Sequence, residues 1–154
     1  MKKISFIVAL LFSVTLSAQD IHTKNGYAAE GYDVVAYFSN QALEGDKINT
    51  TTHGGVKYKF ATDKNLKTFM ANPEKYTPQY GGYCAYQIAN KGKRVQIDPE
   101  SYQIMDGKLY LFYDFLFIDT LKKWNKEGPE IMQEKADKNW EEMQMGHLEM
   151  DNYK

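Results

Sequence analysis

The chain is poor in the residues from which covalent and metal cross-links are built. Its 154 residues include one cysteine, three histidines and a single arginine, Arg94. One cysteine excludes an internal disulfide, so the fold must depend on packing, to which 12 tyrosines, 8 phenylalanines and 2 tryptophans contribute. With a net charge of −1 and no basic stripe interleaved with aromatic residues, the sequence argues against nucleic-acid binding.

The sequence also lacks an apolar run long enough to span a bilayer. Its longest run, residues 4–16, follows two lysines and precedes the small pair Ser17-Ala18. This arrangement is typical of a secretory signal peptide, which we place at residues 1–18 with cleavage before Gln19. We therefore expect an exported bacterial protein, periplasmic or extracellular, with no stable membrane span after cleavage.

Recognisable catalytic motifs are missing as well. The chain has no Gly-x-Ser-x-Gly, no His-Glu-x-x-His and no phosphate-cradling glycine loop. It also has no His-x-x-His or Cys-x-x-Cys pair of the kind that makes a metal site specific. The residues favour a non-catalytic protein and leave the question of an enzyme open.

The remaining chain divides into three parts after the signal peptide. Residues 19–29 are polar and predict an extended lead-in, residues 30–142 predict one domain, and residues 143–154 form a tail rich in methionine. The pattern of the domain predicts an α+β fold. We expect a small, mostly antiparallel sheet, helices covering it, and two helices at the C-terminal end.

Local patterns predict the elements of this domain. Residues 56–60 alternate apolar and basic side chains with a period of two, as in a strand with one wet face. Asp106-Gly107 between two apolar runs predicts a tight hairpin turn. The other predicted elements are a strand at 32–38, a loop at 41–52, a helix from 63 to 70, a helical turn at 73–76, a helix at 115–126 and a second, more polar helix from 130 to 140.

One segment has the composition of a site. Cys84, the odd thiol, follows the pair Gly81 and Gly82 and lies among tyrosines that include Tyr80 and Tyr83. The glycines permit a positive φ or close approach of the backbone, and the tyrosine rings can wall a pocket while keeping a hydroxyl available. This predicts a structural turn that carries a thiol at its end.

Four short motifs together resemble an exported YHS-domain protein. They are Tyr-Asp-Val-Val-Ala-Tyr-Phe at 32–38, Val-Lys-Tyr-Lys-Phe at 56–60, Asn-Pro-Glu-Lys-Tyr at 72–76 and Tyr-Gly-Gly-Tyr-Cys-Ala at 80–85. Their order and spacing match, and the similarity extends through the helix that contains Trp140. The resemblance implies a YHS-like fold, whereas the biochemical role of the exported branch is not assigned.

The chain departs from the YHS modules that are attached to metal-transport ATPases. In those modules cysteines are thought to hold a metal, and the matching positions here are Ala36, Ala61 and Asn65. Methyl groups do not coordinate a soft metal, and a carboxamide does so poorly. The metal function of that branch is therefore not carried over through these three positions.

Three interpretations of Cys84 remain open from the sequence. The first is a binding module that holds copper, zinc, iron or a small ligand at the turn from Tyr80 to Cys84. In the metal version His53 is the best nitrogen donor, and Asp33, Tyr80 and Tyr83 are oxygen donors. The second is a structural or interaction domain in which Cys84 is buried and inert. The third is a redox thiol.

The C-terminal tail is a second lead for a soft metal. Met143, Met145, His147 and Met150 bring thioethers and an imidazole close together, as in tracts that capture Cu(I). The alternative is the frayed end of an amphipathic helix whose methionines pack or face solvent. Gly146 interrupts the helix between these residues.

Overall fold

The main sheet consists of two hairpins. The computed structural model describes residues 20–146, so the predicted signal peptide lies outside the described residues. The four strands are β1 (Thr23–Lys24), β2 (Tyr27–Ala28), β3 (Asp46–His53) and β4 (Val56–Phe60). They lie in the order β1-β2-β4-β3, antiparallel except for the contact of β2 with β4.

Two further hairpins stand apart from this sheet. The first is formed by β5 (Asp98–Met105) and β6 (Lys108–Phe112), and the second by β7 (Asp114–Phe115) and β8 (Ile118–Asp119). The predicted turn at Asp106-Gly107 is confirmed. Both of its residues have positive φ, 50° and 70°, as the favoured two-residue hairpin turn requires.

Among the described residues, five helices cover the strands, and their ends follow from local chemistry. They are α1 (Asp63–Ala71), α2 (Pro73–Tyr76), α3 (Ala85–Lys91), α4 (Thr120–Glu127) and α5 (Pro129–Gln144). The Thr62 side chain caps α1 by accepting a hydrogen bond from the Asn65 amide, and Asp119 caps α4 by accepting from the Lys122 amide. The predicted α+β domain with two C-terminal helices is confirmed. No helix within residues 20–146 has the length and apolarity needed to cross a bilayer.

Aromatic side chains contribute ten of the 24 buried residues of one continuous core within residues 20–146. Trp124 is fully buried and packs against the rings of Tyr110 and Phe112 at centroid distances of 5.7 and 5.4 Å. At the other end of the core, Phe69 of α1 contacts Tyr58 and Phe60 of β4 at 4.7 and 5.0 Å. The large aromatic content of the chain thus replaces the disulfides that a lone cysteine cannot form.

Three of the sequence-based element predictions are wrong. Residues 32–38 do not form a strand, because the chain bends after Asp33 and continues as a 3-10 turn at Ala36–Ser39. Residues 41–52, predicted as a loop, contain most of β3. The helix predicted at 115–126 begins only at Thr120, since the residues before it form the β7–β8 hairpin.

Asp33 is buried and acts as a structural cross-link. One carboxylate oxygen accepts hydrogen bonds from the amides of Val35 and Ala36 at 2.9 and 3.1 Å. The other accepts from the Ala61 amide at 2.8 Å and from the Asn65 side chain at 2.7 Å. Because four donors satisfy the charge, Asp33 ties the 3-10 turn to the junction of β4 and α1. Both of its oxygen atoms are therefore occupied by hydrogen-bond donors of the protein.

Replacing Asp33 by asparagine tests this cross-link. Asp33→Asn turns one acceptor oxygen into an amide nitrogen that faces donors, so we expect the free energy of unfolding to fall by about 3 kcal/mol. Urea denaturation measures the change. The control is Asp63→Asn, at a side chain that is 63% exposed, which should cost less than about 1 kcal/mol. Equal losses in the two variants would contradict the structural role.

Candidate functional site

A left-handed turn shapes the region around Cys84. In the 3-10 segment Gln79–Gly82, Tyr80 and Gly81 have φ values of 54° and 61°. A Cβ atom at Gly81 would overlap the carbonyl oxygen of Asp20, so only glycine lets the N-terminal segment lie against the turn. The His22 amide donates a 2.8 Å hydrogen bond to the Gly81 carbonyl and holds that segment in place.

The thiol of Cys84 lies on the inner side of the turn. Cys84 is fully buried, and its Sγ atom lies 3.3 Å from Oγ1 of Thr120 and 3.3 Å from the amide nitrogen of Tyr113. The Thr120 hydroxyl donates its own proton to the Tyr113 carbonyl at 2.6 Å, which leaves Cys84 to donate to Thr120. Because the sulfur is fully enclosed and hydrogen-bonded to Thr120 and to the Tyr113 amide, it is shielded from reagents in solvent.

An open cleft lies on the outer side of the same turn. Its volume is about 290 Å³. Three structural pieces form its walls: the N-terminal segment, the stretch from α2 through the turn, and the last turns of α5. The lining residues are Asp20, Ile21, Glu74, Thr77, Pro78, Gln79, Tyr80, Gly81, Trp140 and Gln144. The cleft therefore combines an indole ring and aliphatic surface with two carboxylates and two carboxamides.

The two tyrosines of the turn brace this cleft through their hydroxyl groups. Tyr80 donates a 2.8 Å hydrogen bond to Asp137 of α5, and Tyr83 donates a 3.0 Å hydrogen bond to Asp20. Burial, reinforced by the bond to Asp20, raises the pKa of Tyr83 to about 12. Burial and the bond to Asp137 also raise the pKa of Tyr80 well above its usual value. Both hydroxyls therefore stay protonated at neutral pH and serve as donors.

The two carboxylates of the cleft have different surroundings. Asp20 forms an ion pair with Arg94, whose guanidinium also lies over the Trp140 ring at 5.9 Å from its centroid. Glu74 contacts His53, with 2.9 Å between Oε1 and Nε2, and its side chain is 75% exposed. Asp20 is thus compensated by a permanent cation, whereas Glu74 depends on a histidine and solvent.

The residues predicted as metal ligands make separate contacts. Cys84 faces Thr120, His53 faces Glu74, and Asp33 is saturated by amide donors. Tyr80 and Tyr83 donate to two different aspartates. Within residues 20–146, no group of three or more His, Cys, Asp or Glu side chains is arranged to hold a metal ion. The predicted set is therefore not assembled as one centre.

The predicted methionine cluster is only partly described. Met143 is buried on α5 and belongs to the core, whereas Met145 is 55% exposed just beyond the end of that helix. The helix ends at Gln144, and Gly146 follows with a φ of 76°. His147 and Met150 lie outside the described residues.

Sequence reasoning found the turn but missed most of the cleft. Asp20, Glu74 and Trp140 are far apart in the chain and share no motif. The one available signal was the pair of glycines, which indicated that another piece of backbone approaches closely. That piece is the N-terminal segment, predicted only as an extended lead-in.

Comparisons with family models, with curated proteins and with solved structures returned no match for this chain. The functional argument therefore depends on the geometry of residues 20–146.

The burial of Cys84 predicts slow thiol chemistry. At neutral pH we expect a thiol reagent to modify native Cys84 at least about a hundredfold more slowly than an exposed cysteine, because the reaction must wait for local opening. The control is a Cys84→Ala, Met70→Cys variant, since Met70 is 60% exposed. Labelling rates followed by mass spectrometry make the comparison. Similar rates for the two proteins would contradict the sealed site.

Proposed function

We propose that the chain is an exported YHS-like binding module that holds a small organic ligand in the cleft beside Tyr80 and Gly81. The observation that carries this proposal is the position of the cleft, which opens at the glycine-tyrosine turn that the sequence marks as a site. The four YHS-like motifs and the signal-like N-terminus support the family and the export. The ligand replaces the metal of the sequence-based hypothesis, because the described residues offer no assembled metal centre.

The Asp33 network adds support to the resemblance. The positions that match the family's cysteines, Ala36, Ala61 and Asn65, all donate hydrogen bonds to the Asp33 carboxylate. Convergence of these three positions on one point is what a shared fold would require. A carboxylate with four donors can join the same backbone segments that thiolates and a metal would join.

The cleft favours a ligand with an apolar ring and a cationic amine. The Trp140 ring and the aliphatic side chains of Ile21 and Pro78 offer apolar contacts, and an indole face also attracts cations. Its two carboxylates, Asp20 and Glu74, are not matched by any lysine or arginine among the lining residues. Since Arg94 already compensates Asp20, Glu74 is the group that would meet the amine.

Catalysis has no support in this geometry. The thiol is sealed and donates a hydrogen bond, and the tyrosine hydroxyls of the turn are held protonated by burial. None of these groups is poised as a nucleophile or a base near neutral pH. We therefore propose binding without chemical conversion.

A matched set of small aromatic probes tests this function. Phenethylamine, 2-phenylethanol and 3-phenylpropionate have similar shapes but positive, neutral and negative charges. Calorimetric titration should show the amine binding most tightly, and Glu74→Gln should weaken the amine by about tenfold while leaving the alcohol unchanged. Trp140→Leu should weaken all three probes.

Glu130→Gln is the matched control, because Glu130 is an exposed glutamate in the first turn of α5 and does not line the cleft. It should leave the affinity of the amine unchanged. Tighter binding of the carboxylate probe than of the amine would contradict the proposal. So would an amine affinity that neither Glu74→Gln nor Trp140→Leu reduces.

A further inference from the structure

The β7–β8 hairpin ends in four consecutive apolar residues that face solvent. Phe115, Leu116, Phe117 and Ile118, here called the apolar tip, are 60%, 78%, 100% and 45% exposed. Single exposed apolar side chains are ordinary, but a contiguous patch at a protruding turn indicates an interaction site. The patch contributes nothing to the core cluster of the described chain.

The residues of this hairpin turn are also unfavourable for its backbone conformation. Phe115 pairs with Ile118, so Leu116 and Phe117 form a two-residue turn, and Leu116 has a φ of 53°. Leucine at positive φ is strained, whereas glycine, asparagine and aspartate accept this conformation. A turn chosen for folding alone would carry those residues.

The other hairpins of the chain provide the comparison. Two-residue turns at Asn25-Gly26, Gly54-Gly55 and Asp106-Gly107 join β1 to β2, β3 to β4 and β5 to β6. All six of these residues have positive φ and the expected chemistry. The same chain therefore uses favourable residues at three turns and two apolar residues, of which Leu116 is strained, at the fourth. Strain retained at an exposed position points to function.

The shape of the apolar tip indicates what it contacts. A convex turn of four residues is too small for a stable interface with a second copy, which needs roughly 800 Å² from each partner. A bilayer interface needs no complementary cavity, and it accepts phenylalanine and leucine side chains at the boundary between headgroups and acyl chains. A lipid surface is therefore the occupant that suits a small protruding apolar turn.

The charges around the apolar tip bear on the choice of lipid. Asp114 and Asp119 pair at the base of the hairpin, and an adjoining cleft is lined by Glu30 and Asp98 together with Asp114. Lys24 is the only cation lining that cleft, and it is paired with Glu30 at 2.6 Å. Two exposed lysines, Lys122 and Lys123, follow Asp119 in the first turn of α4, so the charge near the hairpin is mixed. A surface of mixed charge gives no net attraction to anionic headgroups, and a zwitterionic surface is sufficient for the apolar tip.

We propose that the apolar tip inserts into the interfacial region of a zwitterionic bilayer and attaches the folded domain peripherally. Phe117 enters deepest, since it is fully exposed at the end of the turn. Attachment through one short tip is reversible, because only four apolar side chains leave water. Unlike membrane binding by basic surfaces, it does not depend on anionic lipid.

Vesicle flotation tests the proposal with protein spanning residues 19–154, which contains the whole core cluster. Wild-type protein should float with phosphatidylcholine vesicles, and mixing in phosphatidylglycerol should not increase the floated fraction. The double variant Leu116→Asn, Phe117→Gly should lose more than about tenfold in partitioning. Its melting temperature should not fall, because asparagine accepts the positive φ of residue 116 better than leucine does.

Ile48→Asn is the matched control, because Ile48 is 87% exposed and belongs to β3 of the main sheet rather than to the hairpin. It should float like the wild type. Failure of the wild type to float, or equal flotation of the double variant, would overturn the proposal. Self-association of the wild type in ultracentrifugation, lost in the double variant and without flotation, would also overturn it and assign the tip to a dimer contact.

Discussion

The buried carboxylate of Asp33 is the constraint on which the arrangement of this fold depends. It joins the 3-10 turn after residue 35 to the end of β4 and the start of α1 through four hydrogen bonds. A buried charge is stable only when it is fully paired in this way. Because α1 leads through α2 into the turn that carries Gly81, the carboxylate also fixes one wall of the cleft.

The turn at Gln79–Gly82 has a buried thiol on one side and an open cleft on the other. On the inner side, the thiol of Cys84 completes a small hydrogen-bonded group with Thr120 and Tyr113. On the outer side, Gly81 lets the N-terminal segment close against the turn and leaves a cleft beneath Trp140. The thiol that drew attention in the sequence therefore belongs to the core, while the open surface combines Tyr80 and Gly81 of the turn with residues from distant segments.

Patterns that depend on local physics were predictable from the sequence. The Asp106-Gly107 hairpin and the helix α1 followed from turn chemistry and from the local residue pattern. The prediction of a strand at residues 32–38 was wrong. Their β-branched and aromatic composition favours a strand, but the Asp33 side chain accepts hydrogen bonds from nearby amides and the chain bends there. The helix predicted at 115–126 failed because its apolar spacing also fits a hairpin followed by a helix. The cleft was not predictable, since its walls come from distant segments.

The most direct test of the functional account is a map of backbone amide shifts in the isotope-labelled protein as phenethylamine is added. We expect shifts in three segments, at Asp20 and Ile21, from Glu74 to Gly81, and from Trp140 to Gln144. The amides of Tyr113 and Thr120 beside the thiol should not move. Shifts centred on Cys84 and Thr120, with none in the walls of the cleft, would contradict the assignment of the open side of the turn as the binding site.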